Sequence, residues 1–269
     1  MSETNLVIIL PVYNGEDTIY NAINSVMTQK HINKRNFNVE LIIVNDGSTD
    51  TTKEKIDSMR YDFRGKIFHL EDNFGAYYAR NYALDHIRKA DYICFLDSDD
   101  QFSNQYSLYK MYRQSRYHEN LIVGNLNIIN NIDLEESEVK LGKFKDLTVY
   151  NQNLIGLPIT ALPIIPFFHR CWFKYDIIKE NLIRFKNYKL GEDIEFYANY
   201  LQYVERFTAV NVDYYDYNNI ENKEYNITTL EQLESLEKLY SFYKKKSFSL
   251  EHLDHLKNVC NDLRKRMTL

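Results

Sequence analysis

Residues 92–100 read Tyr92-Ile93-Cys94-Phe95-Leu96-Asp97-Ser98-Asp99-Asp100. Five apolar residues give way at once to a cluster of carboxylates. A short apolar run bounded by turn residues predicts a buried strand over 92–96, with Asp97 at its carboxyl end. The same arrangement recurs upstream. The run 6–12 closes in Tyr13-Asn14-Gly15, the run 39–44 in Asn45-Asp46-Gly47-Ser48-Thr49-Asp50, and the short run 66–70 in Glu71-Asp72-Asn73. Helical patterns separate these runs. Ile19, Ala22, Ile23, Val26 and Met27 recur at helical spacing. A polar helix is expected from about residue 50, with Asp50 as its N-cap. Over 76–88, Ala76, Ala79, Ala83 and Ile87 share one side. Residues 121–129 predict a fifth strand.

Strands that are apolar throughout, alternating with helices, predict a parallel sheet covered on both faces. Ligands of such sheets bind outside the carboxyl ends of the strands. The four loops named above therefore converge on one rim, and three of them are rich in carboxylates. The second half is less regular. Residues 133–145 are charged and read as a surface excursion. Residues 157–168 hold three of the four prolines and should be extended or turning. Residues 185–191 lead into Glu192-Asp193, and 194–204 read as an amphipathic helix. Two further helices are expected: 230–243, with Leu230, Leu233, Leu236 and Leu239, and 250–269, with Leu253, Leu256, Val259 and Leu263 ahead of Arg264-Lys265-Arg266.

The chain has 269 residues, 44% of them hydrophobic, enough for a core without metal or disulfide staples. Its charge is 33 − 38 = −5, which argues against nucleic acid as a general partner. A charged share of 26% beside that apolar content excludes wholesale disorder. No apolar run approaches the roughly 18 residues that span a bilayer, and no basic segment precedes residues 6–12 to suggest a signal peptide. Cys94, Cys171 and Cys260 are odd in number and far apart, so they read as buried small hydrophobes in a reducing cytosol. The 23 tyrosines suit sugar-binding clefts and interfaces, and equally an AT-rich genome. Trp172 has two readings, a sugar-stacking ring or a core residue.

Asp97 and Asp99, two residues apart at a strand end, can both face a cleft and offer hard oxygen ligands to Mg²⁺ or Mn²⁺. The competing reading is a turn and helix cap. Asp46 suits an acceptor for a base edge or ribose. No G-x-G-x-x-G follows the first strand and no G-x-x-x-x-G-K-[ST] occurs, which disfavours the dinucleotide fold and the phosphate-loop NTPase. H-E-x-x-H and G-x-S-x-G are also missing. Acidic loops that bind a negative nucleotide need a cation between them, and the carboxylate pair would supply its ligands.

In order and spacing, four segments resemble family 2 glycosyltransferases of the GT-A fold. They are Val7-Ile8-Ile9-Leu10-Pro11-Val12-Tyr13-Asn14, Leu41-Ile42-Ile43-Val44-Asn45-Asp46-Gly47-Ser48-Thr49-Asp50, Asn73-Phe74-Gly75-Ala76 with Ala79-Arg80-Asn81, and Phe95-Leu96-Asp97-Ser98-Asp99-Asp100. The likeness is close over about the first hundred residues. Further on, 173–185 followed by Leu190-Gly191-Glu192-Asp193 resembles the family's acceptor-side segment and Glu-Asp motif. Residues 214–228 resemble a later segment that closes over the donor.

The resemblance implies an α/β GT-A fold: a Rossmann-like, mostly parallel sheet flanked by helices, with a helical C-terminal extension. The catalytic domain would cover 1–225, with a nucleotide-binding half (1–130) and an acceptor-binding half (131–225), and the extension 226–269. By the same resemblance Pro11 and Tyr13 line a uridine pocket, Asp46 hydrogen-bonds uracil, and Asn73 and Arg80 help hold the nucleotide. Asp97 sits near ribose, Asp99 ligates Mn²⁺ or Mg²⁺, and Asp193 is the general base, with Glu192 its competitor. The implied activity is an inverting, metal-dependent hexosyl or N-acetylhexosaminyl transfer. A UDP-sugar is the donor, and the acceptor is a glycan, teichoic acid or lipid-linked hydroxyl.

Two departures stand out. Tyr217 is followed by Asn218 and Asn219, where the family often has a basic residue. The segment before Cys171 is rich in proline and phenylalanine, where the family often has an Asn-Lys pair. A nucleotidyltransferase would need a glycine- and basic-rich loop after the first strand, and Tyr13-Asn14-Gly15-Glu16-Asp17 is acidic. An inactive nucleotide-sugar-binding scaffold sits poorly with intact Asp46, Asp97, Asp99 and Asp193. The C-terminal helices leave three readings: packing on the main domain, a homo-oligomer contact, or peripheral contact with the inner membrane face of a cytoplasmic enzyme.

Overall fold

β1 (Thr4–Val12) and β2 (Phe37–Asn45) lie parallel, from Thr4 opposite Phe37 to Val12 opposite Asn45. The computed structural model in which they are seen describes residues 3–34, 36–60, 63–115, 117, 119–129, 150–162, 167–218 and 230–267. β3 (Gly65–His69) joins β2 and β4 (Tyr92–Phe95) joins β1, both parallel. The crossovers are α1 (Ile19–Met27), α2 (Thr52–Ser58) and α3 (Ala76–Asp85). Successive side chains of a strand point to opposite faces, so each strand feeds two cores. Val7, Ile9, Ile42, Val44, Ile93 and Phe95 pack with Ala79 and Ala83 of α3 on one side. Leu6, Ile8, Leu10, Leu41, Ile43 and Cys94 pack with Ile19, Ile23 and Val26 of α1 on the other. This is why the strands read as unbroken apolar runs.

The remaining elements are β5 (Gln101–Phe102), α4 (Ser107–Ser115), β6 (Leu121–Ile129), β7 (Leu154–Pro158), β8 (Cys171–Lys174), α5 (Tyr175–Glu180), α6 (Glu192–Leu201), β9 (Arg206–Asn218), α7 (Leu230–Lys245) and α8 (Leu250–Met267). The sheet runs β3-β2-β1-β4-β8-β6-β9-β5, with β7 on β9. Its first-half strands are parallel. β8 enters antiparallel between β4 and β6, while β9 is parallel to β6 and antiparallel to β5 and β7. The result is a mixed sheet flanked by helices.

Several expectations shift in detail. The helix expected over 76–88 stops at Asp85, where the His86 N–H turns back to the Ala83 carbonyl. The helix expected from 194 begins two residues earlier, at Glu192. Residues 157–168 contain no α-helix where described: β7 is followed by a 3-10 turn at Ile159–Ala161, and a second turn spans Phe168–Arg170. Residues 133–145, 163–166 and 219–229 lie outside the described residues, and so do the expected boundaries at 130/131 and 225/226. The three cysteines are free and buried, and Trp172 is a core residue whose indole N–H donates to the Tyr214 hydroxyl at 2.9 Å.

Leu233, Leu236, Leu239, Phe242 and Tyr243 of α7 share one core with Leu256, Cys260 and Leu263 of α8, Phe196 and Tyr200 of α6, and Phe173 of β8. Each large apolar side chain buried this way contributes about 1.5–3 kcal/mol. These two helices therefore pack on the main body. Among the described residues, no helix is long and apolar enough to cross a membrane.

Candidate active site

The loops at the carboxyl ends of β1 and β2 are braided together. The Asn14 N–H donates to Ser48 Oγ at 2.9 Å and Gly15 N–H to Thr52 Oγ1 at 2.8 Å, while Asn14 Oδ1 accepts the Thr49 N–H at 2.9 Å. Pro11 lies buried at the end of β1, and Tyr13 is 46% exposed beside it. The Asp46 N–H donates to the Val12 carbonyl at 2.8 Å. Asp46 itself is buried, and its two carboxylate oxygens accept the N–H groups of Phe74 (3.1 Å) and Gly75 (2.7 Å). Asn73 Oδ1 accepts the same Gly75 N–H at 2.9 Å. Burial pushes the Asp46 carboxyl up, against those two hydrogen bonds. Gly47, at φ +68°, permits this contact: a Cβ there would lie 2.4 Å from the Asp72 carbonyl carbon. Pro11, Tyr13, Asp46 and Asn73 thus form one continuous corner.

The loop after β4 forms the second corner. Asp97, Asp99 and Asp100 each present an oxygen within 4.8 Å of the others. Asp97 Oδ1 accepts from Arg80 Nη2 at 2.9 Å, and its Oδ2 pairs with His169 Nε2 at 3.0 Å. Burial works against the charge on Asp97, but His169 and Arg80 outweigh it and hold that carboxyl well below the usual range. Asp100 is fully buried. Its Oδ2 accepts the Tyr215 hydroxyl at 2.8 Å and its Oδ1 the Asn218 N–H at 2.7 Å. Burial, then the charges of Asp97 and Asp99, push the Asp100 carboxyl up to about 7. The Asn218 side chain donates to the Asp99 carbonyl.

Arg80 links this corner to the head of α6. Its Nη1 lies 3.0 Å from Glu192 Oε1, and its guanidinium lies 5.4 Å and 5.3 Å from the ring centroids of Phe168 and Phe185. Burial and the Asp193 charge push the Glu192 carboxyl up, against Arg80. Asp193 stands next to it in the first turn of α6, and among the described residues its side chain makes no hydrogen bond or ion pair.

Three carboxylates with hard oxygen donors, one of them raised by burial and by its neighbours' charge, form a donor set suited to a divalent cation. Each carboxylate oxygen keeps a lone pair beyond the bonds named here. The sequence reading did not assign roles to Asp100, His169, Tyr215 or Asn218. Asp100 stood inside the quoted motif and could have been found. His169 follows a proline-rich segment without periodicity, and only the fold brings it to Asp97.

Residues 7–176 match the profile of glycosyl transferase family 2. The chain belongs to that family. Its relatives include a teichoic acid poly(glycerol phosphate) polymerase of Staphylococcus epidermidis, 30% identical over 212 residues, which are 76% of this chain and 27% of that protein. An uncharacterized glycosyltransferase of Haemophilus influenzae is 32% identical over 200 residues, 74% of this chain and 72% of that protein. This chain therefore spans only 27% of the length of the staphylococcal polymerase. Among solved structures, S. aureus TarS 1–349 in complex with UDP-GlcNAc superposes with a TM-score of 0.73 at 19% identity, covering 98% of this chain and 72% of that one. At that identity the likeness is one of fold, and it identifies the mixed sheet as the GT-A type that the first hundred residues resemble.

Proposed function

We propose that this family 2 member is an inverting glycosyltransferase that moves a sugar from a UDP-sugar onto a hydroxyl of a glycan, teichoic acid or lipid-linked acceptor. The observation that carries the reading is the Arg80 bridge. One buried guanidinium joins Asp97 of the carboxylate loop to Glu192 at the head of α6, so a nucleotide corner and an acceptor corner meet in one cluster. The staphylococcal relative's name supports a teichoic acid acceptor, and the UDP-GlcNAc complex of TarS supports a UDP-linked donor.

In this reading Pro11 and Tyr13 line the uridine pocket, and Asp46 uses its remaining lone pairs to accept from uracil. Asn73 holds the nucleotide at the same corner. Arg80 acts on the donor through Asp97, which lies near ribose. Asp99, with Asp97 and Asp100 beside it, would hold Mn²⁺ or Mg²⁺. A divalent cation bound there would offset the charge that develops on the leaving nucleoside diphosphate. Asp193 takes the acceptor hydroxyl's proton as that oxygen attacks the anomeric carbon. Glu192 is engaged by Arg80, whereas Asp193 is not so held, which favours Asp193 as the base. Attack on the face opposite the leaving group inverts the anomeric centre. The domain division at 225/226 and action at the inner membrane face belong to the same proposal.

The test is a panel of UDP-sugars, with poly(glycerol phosphate) and glycan acceptors, with Mn²⁺ or Mg²⁺ or with chelator. UDP release coupled to sugar incorporation, lost on chelation, is the expected result. Pyrophosphate release from UTP and a sugar phosphate would identify a nucleotidyltransferase instead. UDP-sugar binding without turnover on any acceptor would favour a scaffold.

A further inference from the structure

α6 carries Glu192 and Asp193 in its first turn, so the direction of the proposed base depends on how that helix is rotated. Arg80 grips the turn from α3, through Glu192. A second grip comes from the C-terminal side. Glu195, one turn along from Glu192, is buried with only 1% of its side chain exposed. Its Oε1 receives Lys238 Nζ of α7 at 2.7 Å and Lys186 Nζ of the preceding loop at 3.1 Å. Burial works against its charge, but the two lysines outweigh burial and keep the carboxyl below its ordinary range. The backbone points the same way. Gly191, which starts α6 at φ +89°, lies so close to α7 that a Cβ there would be 3.0 Å from Gln232 Cα and 3.2 Å from Ser235 Oγ. α7 therefore presses on the very turn that presents Asp193.

We propose that α7 is a positioning element of the active site, with Lys238 bracing the first turn of α6 through Glu195 and thereby the aim of Asp193 at the acceptor. The proposal rests on the reading of Asp193 as the base. Arg80 from α3 and Lys238 from α7 hold Glu192 and Glu195, three positions apart on one face, and so brace the first turn of α6 at two points. Without the α7 pair Glu195 keeps Lys186 of the preceding loop, and the buried Phe196 and Tyr200 hold the body of the helix, so the change falls on the first turn, which loses that tie to α7. Lys238 lies among neither the carboxylate loop nor the nucleotide corner, so its effect should fall on transfer and spare the donor. Misplacing a reacting group by about 1 Å can cost ~10²-fold in rate.

The experiment compares Lys238→Met, which keeps the apolar stem, with Lys238→Arg. It measures kcat and donor KM for the UDP-sugar and acceptor pair of the panel above that turns over fastest, UDP affinity by calorimetry, and melting temperature. The expected result is a kcat lowered about 10- to 100-fold, with donor KM and UDP affinity within twofold of the parent, measured well below the melting temperature, and rescue by Lys238→Arg. A kcat equal to the parent's overturns the proposal. So does a loss of transfer matched by an equal loss of UDP affinity, which marks general disruption. Should Lys238→Met not fold, Glu195→Gln, which keeps the side-chain volume, is read on the same scale. Failure of the underlying reading is distinct: it shows as parent enzyme without transfer, or as Asp193→Asn with full transfer.

Discussion

Arg80 Nη2 stands 2.9 Å from Asp97 Oδ1, with only 5% of the arginine side chain exposed. Together with Glu192 at 3.0 Å, this makes a triad around a buried guanidinium that spans α3, the end of β4 and the head of α6. In the proposed site it joins the two corners. Removing one partner of a buried pair leaves an uncompensated charge.

Arg80→Met should therefore lower stability by about 3–5 kcal/mol, read from urea denaturation. Arg80→Lys should rescue little, because a point charge cannot serve two carboxylates as the planar fork does. A methionine variant as stable as the parent would show that the triad does not hold the corners together.

Asp193→Asn should lower kcat by about 10²–10⁴-fold and leave UDP affinity nearly unchanged, since the proposed base would meet the acceptor. Glu192→Gln should retain more transfer and lose more stability, because it weakens the hold of Arg80. Retained transfer in Asp193→Asn, with loss in Glu192→Gln, would exchange the two roles.

Asp99→Asn should remove most of the divalent-ion dependence and most of the turnover, while the melting temperature stays near the parent's. Asp99 sits on the rim and contributes no apolar packing. Near-normal, cation-stimulated activity in this variant would exclude Asp99 as a ligand.

The cation effect should depend on pH. The Asp100 carboxyl stands at about 7 in the folded chain, against about 3.9 when unfolded. The folded state thus binds this proton more tightly. Its contribution to stability is complete below about pH 4 and is lost as pH rises through about 7. A divalent ion must displace the proton at low pH but meets an ionised cluster at high pH. The gain in melting temperature from Mn²⁺ should therefore be larger at about pH 8 than at about pH 5.5. In Asp100→Asn that difference should shrink, and an equal gain at both pH values in the parent would refute the linkage.

The parallel half of the sheet and its rim were readable from the chain alone. Strands buried on both faces must be apolar throughout, and polar residues can return only where the strand ends. This is why Asp46, Asn73 and Asp97 could be placed at one edge from residue order. β8 and β9 were not read. Cys171–Lys174 is four residues long and takes its identity as a strand from β4 and β6 on either side. β9 is tyrosine-rich and bends through register shifts against β6, so no regular alternation marks it. The site divides in the same way. Motif spacing located the carboxylates, but not that His169 and Arg80 share Asp97, nor that Arg80 engages Glu192 and leaves Asp193 beside it. Those pairings join residues 72, 17 and 112 positions apart. Local pattern reports which face of an element is buried. Which charges meet in that interior depends on how distant elements pack, because a buried charge needs a partner and the packed fold alone brings one within reach.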